Sequence, residues 1–312
     1  MDLGGTKIQA VVVDRRGRVR GAARRPTPSA GGPKDVVREI AGAVRDACAE
    51  AGEDPAKLQG VGVGSPGDVD DRAGTVTSAK NLPGWAGSFD VSKVLSRALG
   101  GVDVRLGNDV DVATVAEFQL GAAQEYDSVL GVFWGTGVGG GVILDGKLWN
   151  GRASAGEIGH MVVKLGGALC PCGRKGCMEA YAGRGAMEAR ARKAQAEGTR
   201  TELFKIMEKR GRDRLTSGVF QRALDQGDRL AMTLIDRAIE ALGAGVASAI
   251  NLLDVNAVII GGGLGVRLGE PYAARIAEAM QPHLFTDYRP PAVRVAALGD
   301  LGGAVGGALL VR

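Results

Sequence analysis

The chain is poor in cysteine and histidine, with four and two among its 312 residues, and it contains no long apolar run. So few cysteines, without a secretory signal at the N-terminus, argue against a disulfide framework. No uninterrupted apolar stretch approaches the roughly 18 residues of a membrane span, and the N-terminus lacks the charged lead and apolar core of a signal peptide. We therefore expect a cytoplasmic protein with no membrane partner.

Positive charge is also not concentrated in any one segment. The formal net charge is +4, and the arginines are scattered, as at Arg15, Arg16, Arg24 and Arg25. This distribution is too diffuse to indicate a nucleic-acid partner. With 45% hydrophobic and 24% charged residues, the composition is that of a soluble globular protein large enough for two domains. No linker or low-complexity tract divides the chain.

The scarce metal-binding residues are clustered. Three of the four cysteines lie within eight residues, and one of the two histidines lies ten residues upstream. Thiolates and a neutral imidazole suit a tetrahedral structural zinc ion. The alternatives are a disulfide or cysteines that are simply buried. The four candidate ligands are His160, Cys170, Cys172 and Cys177. Gly173 and Gly176 would let the loop fold back on one ion, whereas Cys48 lies on the apolar face of a predicted helix and is expected in a core.

Two glutamates flank this cluster. Glu157 stands three residues before His160, so both would share one face of a helical turn, and Glu179 follows Cys177 by two residues. A metal bound through His160 and Cys177 would hold the two carboxylates near each other. The alternative for either glutamate is a solvated surface charge.

Three glycine-rich segments are predicted at strand ends. Gly4-Gly5-Thr6-Lys7 precedes a β-branched strand, Gly135-Thr136-Gly137 opens a run that continues to Gly141, and Gly261-Gly262-Gly263 ends a strand. Free N–H groups in such turns can bind phosphate, although the first could be a plain hairpin turn. The second contains a formal GxGxxG, but the strand predicted after it argues against a dinucleotide fold, which requires a helix there.

Asn108 and Asp109 follow a predicted strand at Val102–Leu106 and precede a helix predicted from about Val110 to Gln119. Polar groups at the carboxyl end of a strand are where α/β proteins usually bind ligands. Asp109 could instead be only the helix N-cap. Asn81 opens a further loop that ends at Trp85.

In combination, these motifs are highly specific, and the sequence resembles the ROK family (repressors, open reading frames and kinases) over nearly its whole length. The matching segments are DLGGTK (residues 2–7), Asn81 with Trp85, Asn108-Asp109, GTGVGGG (135–141), GEIGH (156–160), CPCGRKGCME (170–179) and IIGGG (259–263). The resemblance implies an α/β, two-lobed actin/hexokinase/Hsp70-like (ribonuclease H-like) fold with a cleft between the lobes and a structural zinc loop. We expect one lobe at residues 1–109 plus 299–312, and a larger lobe with the zinc loop and oligomer contacts at 110–298.

The resemblance also implies an ATP-dependent sugar kinase of carbohydrate metabolism, most like the bacterial glucokinases of the family. The implied sugar-binding residues are Asn81, Asn108, Asp109, Glu157, His160 and Glu179. The implied ATP-binding residues are Gly4, Gly5, Thr6, Lys7, Gly135, Thr136, Gly137, Gly261, Gly262 and Gly263. His160, Cys170, Cys172 and Cys177 would bind structural Zn²⁺. Asp109 would take the proton of the sugar 6-hydroxyl as it attacks the γ-phosphorus of ATP, with Mg²⁺ on the phosphates and Asp2 in its outer shell.

Two departures from the family pattern stand out. Relatives usually have several residues before DLGGTK, so we expect a late start or a frayed first strand. Val110-Asp111-Val112 replaces the more usual small residues and asparagine, which bears on the detailed sugar contacts.

Several alternatives stay open. Repressors of the family carry a helix-turn-helix domain before DLGGTK, and because nothing precedes it here we expect no DNA binding. The Asn81–Trp85 segment favours glucose, whereas N-acetylglucosamine, N-acetylmannosamine, allose and fructose are rival substrates and polyphosphate is a rival donor. A homodimer or homotetramer is usual for the resemblance.

Overall fold

The computed structural model describes residues 1–79 and 81–312. The strands are β1 (Asp2–Leu3), β2 (Lys7–Val13), β3 (Val19–Pro26), β4 (Val61–Ser65), β5 (Asp68–Asp70), β6 (Thr75–Thr77), β7 (Ser88–Asp90), β8 (Val104–Asn108), β9 (Val129–Trp134), β10 (Val138–Leu144), β11 (Lys147–Leu148), β12 (Ala257–Gly261) and β13 (Ala292–Val295). The α-helices are α1 (Pro33–Ala51), α2 (Val91–Ala98), α3 (Asp109–Leu120), α4 (Glu179–Ala182), α5 (Arg184–Ala196), α6 (Leu203–Lys209), α7 (Ser217–Asp225), α8 (Arg229–Leu253), α9 (Gly262–Met280) and α10 (Gly302–Leu309). Among the described residues, no helix is both long enough and apolar enough to cross a membrane.

The chain forms two compact units. The first comprises Met1–Gln124, Asn150–Ala153 and Ala297–Arg312, and the second comprises Glu125–Trp149 and Ser154–Ala296. All of α3 thus belongs to the first unit, so the division lies further along the chain than the boundary that we expected at Asp109.

The first unit is built on a five-stranded sheet in the order β3-β2-β1-β4-β8. The pairs β3–β2 and β2–β1 are antiparallel, whereas β1–β4 and β4–β8 are parallel. The first strand, which we expected to be frayed, is only two residues long but pairs on both sides, with Asp2 opposite Gln9 and Gly64. The short strands β5, β6 and β7 form a separate antiparallel sheet. The core of this unit includes Cys48, which is buried as expected.

Helix α10 packs against the first sheet through glycines. A Cβ atom added to Gly62 of β4 would lie 1.7 Å from the carbonyl oxygen of Gly307, and one added to Gly306 would lie 1.9 Å from the carbonyl oxygen of Val112. Because backbone atoms cannot move aside as a side chain can, these two positions admit no side chain. This close approach fixes α10 against β4 and α3.

The second unit is built on a sheet in the order β11-β10-β9-β12-β13, with two antiparallel pairs followed by two parallel ones. Its core lies between this sheet and the helices, and Trp134, Met178 and Phe220 are fully buried within it. The strand predicted after the glycine-rich run is confirmed and begins at Val138. The turn before it is therefore only three residues long.

The sequence predicts helices from Asp35 to Ala51, from about Arg229 to Leu252 and from Leu301 to Ala308, and the structure confirms them as α1, α8 and α10, together with α3. The sequence also predicts one helix from Ala180 to about Ala196. This prediction is wrong, because the chain leaves helical geometry at Gly183 (ψ 130°) and forms α4 and α5 instead. The amides that follow the break donate elsewhere: Arg184 N–H to the carbonyl oxygen of Gly135 at 3.1 Å, and Gly185 N–H to that of Thr136 at 3.0 Å. Hydrogen bonds to a distant turn thus replace those of a continuous helix.

Candidate functional site

In the first unit, the turn Gly4-Gly5-Thr6 joins β1 to β2. It is closed by a hydrogen bond from Gly4 N–H to the carbonyl oxygen of Lys7 (2.9 Å), and the Thr27 hydroxyl donates to the carbonyl oxygen of Gly4 (2.6 Å). Among the described residues, the N–H groups of Gly5 and Thr6 have no acceptor. Free amides in such a turn can receive the oxygens of an anion.

Two further predicted residues adjoin this turn. The backbone of Gly5 lies against Asn81, since a Cβ on Gly5 would be 2.9 Å from the Asn81 carbonyl oxygen. The Lys7 ammonium lies 3.9 Å from a carboxylate oxygen of Asp300, which is itself exposed. Trp85, at the end of the Asn81 loop, is buried and donates its indole N–H to the carbonyl oxygen of Val76 (3.1 Å). Trp85 therefore anchors the loop from within the core.

Asn108 and Asp109 stand where β8 passes into α3. The N-cap is Asn108, whose Oδ1 accepts from Val110 N–H at 2.9 Å and from Asp111 N–H at 3.3 Å. Asp109 is the first helical residue, so the alternative that it serves only as the N-cap is wrong. Asp109 Oδ1 also accepts from Val110 N–H at 3.0 Å. Because Asn108 supplies the N-cap, Asp109 Oδ2 is not needed at the helix terminus and is available to a ligand.

The Asp109 carboxylate lies in a poorly solvated, negatively charged setting. In the parallel register Asp2 pairs with Gly64 and Gly64 with Gly107, so Asp2 on β1 and Asp109, just after β8, lie at the same end of the two strands that flank β4. Burial, followed by the charge of Asp2, raises the pKa of Asp109 to about 7. Burial also raises the pKa of Asp2, against the opposing effect of the Lys7 charge. A carboxylate titrating near neutrality can accept a proton efficiently.

In the second unit, the turn Gly135-Thr136-Gly137 joins β9 to β10 and is closed by Gly135 N–H donating to the carbonyl oxygen of Gly137 (3.0 Å). The N–H groups of Thr136 and Gly137 find no acceptor within the described part of the chain. Gly135 lies against Gly263, since an added Cβ would be 3.9 Å from the Gly263 nitrogen. The second and third predicted glycine segments are thus brought together.

The third segment needs a glycine at its centre. Gly262 has a positive φ of 77°, and a Cβ there would lie 2.6 Å from the backbone oxygen of Trp134. The chain can therefore turn from β12 into α9 directly against the end of β9. Gly261 ends β12 beside the ring of Phe133, at 2.7 Å from an added Cβ.

Arg184 is a residue that the sequence patterns did not single out. Its guanidinium donates to the Thr136 hydroxyl oxygen (Nη2, 2.7 Å) and to the carbonyl oxygen of Leu215 (Nη1, 2.8 Å). Burial lowers its pKa, and nearby Glu188 opposes that effect. Because the Thr136 oxygen accepts from Arg184, its own proton is free to point to a ligand. The glycines on either side of Arg184 were the only local signal for it.

The four candidate metal ligands converge in the second unit. Their ligand atoms all lie within 4.8 Å of one another. Cys170 Sγ is 3.8 Å from His160 Nδ1, and Cys172 Sγ is 3.8 Å from Cys177 Sγ, far longer than a disulfide bond. Metal–ligand bonds of about 2.0–2.3 Å in a tetrahedron place ligand atoms roughly 3.3–3.8 Å apart. The donor set and its spacing fit a zinc ion.

The loop that carries the cysteines turns at Gly173 and Gly176, which have φ values of 89° and 86°, as the sequence predicts. At Gly176 an added Cβ would meet the carbonyl oxygen of Lys164 at 1.9 Å. Bridges between Val162 and Cys177 and between Leu169 and Lys175 hold the two sides of the loop. The backbone contacts of this loop thus present the cysteines on one side of the reversal.

The two glutamates that flank the cluster have different partners. Glu179 Oε2 accepts from Val138 N–H at 2.9 Å, at the start of β10, and its other oxygen lies 3.7 Å from Cys170 Sγ. Glu157 is largely exposed and lies 3.9 Å from Nε2 of His160. Glu179 therefore connects the metal cluster to the glycine turn of β9 and β10, whereas Glu157 faces the ring nitrogen that points away from the cysteines.

The chain has relatives over its full length. The ROK family model matches residues 1–312. A glucokinase of Streptomyces coelicolor is 34% identical, covering 100% of this chain and 96% of the relative, and an N-acetyl-D-glucosamine kinase of Citrobacter koseri is 31% identical, covering 99% and 97%. The crystal structure of a ROK family glucokinase from Streptomyces griseus in complex with glucose and AMPPNP matches with a TM-score of 0.84 and 34% identity, covering 99% of this chain and 97% of that one. That match confirms the actin/hexokinase-like α/β fold, and the chain belongs to the ROK family.

Proposed function

We propose that this protein transfers the γ-phosphoryl group of ATP to the 6-hydroxyl of glucose. The observation that carries the proposal is the partly buried Asp109 carboxylate, whose pKa is raised to about 7 at the carboxyl end of a parallel strand. Its Oδ1 accepts from Val110 N–H at 3.0 Å, and because Asn108 supplies the N-cap, its Oδ2 is available to a ligand at the strand end. Membership of the ROK family and the S. griseus complex with glucose and AMPPNP support the choice of reaction.

In the reaction, Asp109 accepts the proton of the sugar 6-hydroxyl while that oxygen bonds to the γ-phosphorus. The bond between the γ-phosphorus and the bridging β–γ oxygen breaks, and ADP leaves with the electron pair. A carboxylate with a pKa near 7 is a better proton acceptor than an ordinary aspartate, whose pKa is about 3.9. Most of the rate acceleration in phosphoryl transfer comes from positioning and charge neutralisation rather than from proton removal.

The phosphates are assigned to the two turns with free amides. In the first unit these are the N–H groups of Gly5 and Thr6, with the Lys7 ammonium beside them. In the second they are those of Thr136 and Gly137, and the Thr136 hydroxyl donates its proton because Arg184 donates to its oxygen. Mg²⁺, when bound to the phosphates, neutralises their charge, and Asp2 would act in its outer shell.

Gly261, Gly262 and Gly263 are assigned to the adenosine. No side chain projects from this segment, and Gly263 adjoins the turn at Gly135. A nucleotide base can therefore approach the backbone closely at this position.

The sugar hydroxyls are assigned to polar side chains from both units: Asn81, Asn108 and Asp109 in the first, and Glu157, His160 and Glu179 in the second. His160 presents Nδ1 to the cysteines and leaves Nε2 for the ligand, beside Glu157. Zinc held by His160, Cys170, Cys172 and Cys177 would do no chemistry. It would fix the His160 imidazole. It would also fix the second glycine turn, because Cys170 contacts Glu179 and Glu179 accepts from Val138 N–H at the end of that turn.

N-acetylglucosamine is the second candidate substrate, because the C. koseri N-acetyl-D-glucosamine kinase is nearly as similar as the glucokinases. The two sugars differ at carbon 2, where a hydroxyl is replaced by an acetamido group. The side chain that contacts the substituent on carbon 2 therefore decides which of the two sugars is bound. Glu157, exposed and without a donor other than His160 among the described residues, is the side chain with most freedom to accept either group.

The test is an assay of sugar-phosphate formation with ATP and Mg²⁺ across glucose, N-acetylglucosamine, mannose, N-acetylmannosamine, allose and fructose, repeated with polyphosphate as an alternative donor. We expect glucose to exceed the other sugars by at least about tenfold in kcat/KM, since a site built for hydroxyls discriminates by unpaired groups. If kcat/KM is higher for N-acetylglucosamine than for glucose, N-acetylglucosamine is the substrate. No turnover with any sugar and either donor would refute the proposed function.

A further inference from the structure

The second unit contains a cavity of about 420 Å³ that no part of the proposed reaction uses. Its walls come from the metal-binding loop at Lys164, from Tyr181 of α4, from Arg190 of α5 and from Arg237 and Glu240 of α8. Its remaining lining is apolar and comes from Val163, Ala241 and Ala244. The cavity thus has a cationic part and an apolar part.

Arg190 has a buried nitrogen without a partner. Its Nη2 donates to the carbonyl oxygen of Ala180 at 2.7 Å, and its guanidinium carbon lies 4.9 Å from the centre of the Tyr181 ring. Nη1 is buried and has no hydrogen-bond partner within the described residues. Because a buried donor that has lost water and gained no acceptor costs free energy, this nitrogen marks a position where an acceptor is missing.

The Tyr181 ring on which Arg190 stacks is itself held by a hydrogen bond. The Tyr181 hydroxyl oxygen accepts from the Ala168 N–H at 2.8 Å, and Ala168 belongs to the loop that carries the cysteines. The ring therefore cannot rotate away from the guanidinium without breaking a hydrogen bond. The unpaired nitrogen is held in place rather than free to find another acceptor.

The charges around the cavity are unbalanced. Lys164, Arg190 and Arg237 are positive and only Glu240 is negative, and across residues 1–79 and 81–312 none of the three cations lies within ion-pair distance of a carboxylate. Arg237 is close enough to Arg190 to lower its pKa, as burial does. Three cations that share one cavity with a single carboxylate leave an excess of positive charge, which attracts an anion.

We propose that this cavity binds a phosphate-type oxyanion. A tetrahedral oxyanion balances the charges of Lys164, Arg190 and Arg237, and guanidinium groups bind such oxygens strongly. The apolar wall at Val163, Ala241 and Ala244 can cover the carbon portion of a phosphate monoester. The ligand is therefore either free phosphate or a small phosphate monoester, and both share the chemistry that the three cations recognise.

Calorimetric titration at low ionic strength, in a buffer free of phosphate, tests the proposal. The probes are inorganic phosphate and glycerol 3-phosphate, because a sugar phosphate would also bind as the product of the proposed reaction. The cavity variant is Lys164→Gln with Arg237→Gln, whose side chains are both exposed and unpaired. The control is Lys209→Gln with Arg229→Gln, which removes the same charges from exposed sites in the same unit.

We expect the cavity variant to bind at least about tenfold more weakly than the wild type and the control variant to bind as the wild type does, since each charged hydrogen bond contributes substantially. Tighter binding of glycerol 3-phosphate than of phosphate identifies a monoester site, and the reverse identifies a site for free phosphate. Equal affinity of the cavity and control variants for both probes would overturn the proposal. Sugar turnover plays no part in this readout, so failure here is distinct from failure of the proposed function.

A second variant guards against loss of folding. Arg190→Lys keeps the positive charge but cannot both hold the Ala180 carbonyl and offer a planar guanidinium to an oxyanion. We expect it to keep the thermal stability of the wild type within a few degrees and to lose affinity for both probes. Unchanged affinity in a folded Arg190→Lys protein would exclude Arg190 as the central ligand and overturn the proposed geometry.

Discussion

The two units of this protein contain sheets of the same topology, but the two sheets support different kinds of site. Each sheet has two antiparallel pairs followed by two parallel ones, in the orders β3-β2-β1-β4-β8 and β11-β10-β9-β12-β13. In each, a three-residue turn joins the central strand to its antiparallel neighbour, at Gly4-Gly5-Thr6 and at Gly135-Thr136-Gly137. Both turns leave two amides without an acceptor among the described residues.

The units differ in what supports the turn. The first turn is held by neutral groups, the Thr27 hydroxyl and the backbone at Asn81, and carboxylates occupy the adjacent strand ends. The second is held by charged side chains, Glu179 and Arg184, which follow the metal cluster in sequence. Both sheets supply a turn with free amides, and the elements that follow each turn differ. In the proposed reaction the first unit supplies the carboxylate that accepts the proton, and the second supplies the rigid support.

The largest effect is expected from Asp109→Asn, which removes the reactive group of the first unit. We expect kcat for sugar phosphorylation to fall by about 10³-fold, since general-base contributions are typically 10²–10⁴. Steady-state ADP release is the measurement. Asp103→Asn, an exposed carboxylate in the same unit, is the control and should keep its activity. A Asp109→Asn protein that retains more than about a tenth of the wild-type kcat would contradict the role of Asp109 as base.

Cys172→Ala tests the support of the second unit. We expect the protein to lose its zinc and to show a sugar kcat/KM lower by about 10–100-fold, because loss of the groups that orient a site typically costs that much. Zinc per chain, measured by mass spectrometry, and steady-state kinetics give the result. Cys48→Ala, in the core of the first unit, should keep both. One zinc per chain in Cys172→Ala would show that the ligand set is wrong.

Arg184→Ala tests the second turn without changing the first. We expect the KM for ATP to rise about tenfold with a smaller change in kcat, since a hydrogen bond from a charged donor is typically worth about 1.5–3 kcal/mol. Lys193→Ala, on the same helix and paired only with Glu197, serves as the control.

Arg184→Lys should not restore the wild-type KM. A single ammonium cannot hold both the Thr136 hydroxyl and the Leu215 carbonyl in the geometry that the planar guanidinium provides. Full recovery with lysine would show that only the charge matters at this position.

The smallest effect is on stability and follows from the raised pKa of Asp109. With a folded-state pKa of about 7 and an ordinary value of 3.8, the native protein binds more protons than the unfolded chain between about pH 4 and pH 7. The free energy of unfolding therefore falls as the pH rises through this window. Asp109→Asn should remove that loss, so it should be more stable than the wild type at pH 8 and equal to it at pH 4. Urea unfolding at both values measures it, and a less stable variant at pH 8 would contradict the burial of this charge.

The sequence predicted features whose cause is local. The sequence predicts α1 because apolar residues recur at helical spacing, and it predicts α8 because the segment is long and apolar. It predicts the metal cluster because the ligands are close in sequence and chemically distinctive. The turn glycines Gly173 and Gly176 were predicted for the same reason, since the spacing of the cysteines requires a reversal between them.

Features that depend on distant contacts could not be predicted. The helix break at Gly183 arises because the amides of Arg184 and Gly185 bond to the turn at Gly135 and Thr136, far upstream in the chain. The pKa of Asp109 depends on burial and on Asp2, at the opposite end of the first unit's sequence. Arg190 sits in an arginine-rich helix, and nothing in its local sequence shows that one of its nitrogens is buried.

The glycine contacts between α10 and β4 affect how the results of single substitutions in this protein are interpreted. An alanine codon is one nucleotide from a glycine codon, yet at Gly62 or Gly306 the added methyl group would overlap a carbonyl oxygen. In a library of all single substitutions, these positions should be depleted as strongly as Asp109. An observer who scored only survival would then assign α10 to the active site. Purified variants would reveal the difference, because the glycine variants would fail to fold, whereas Asp109 variants would fold but lack activity.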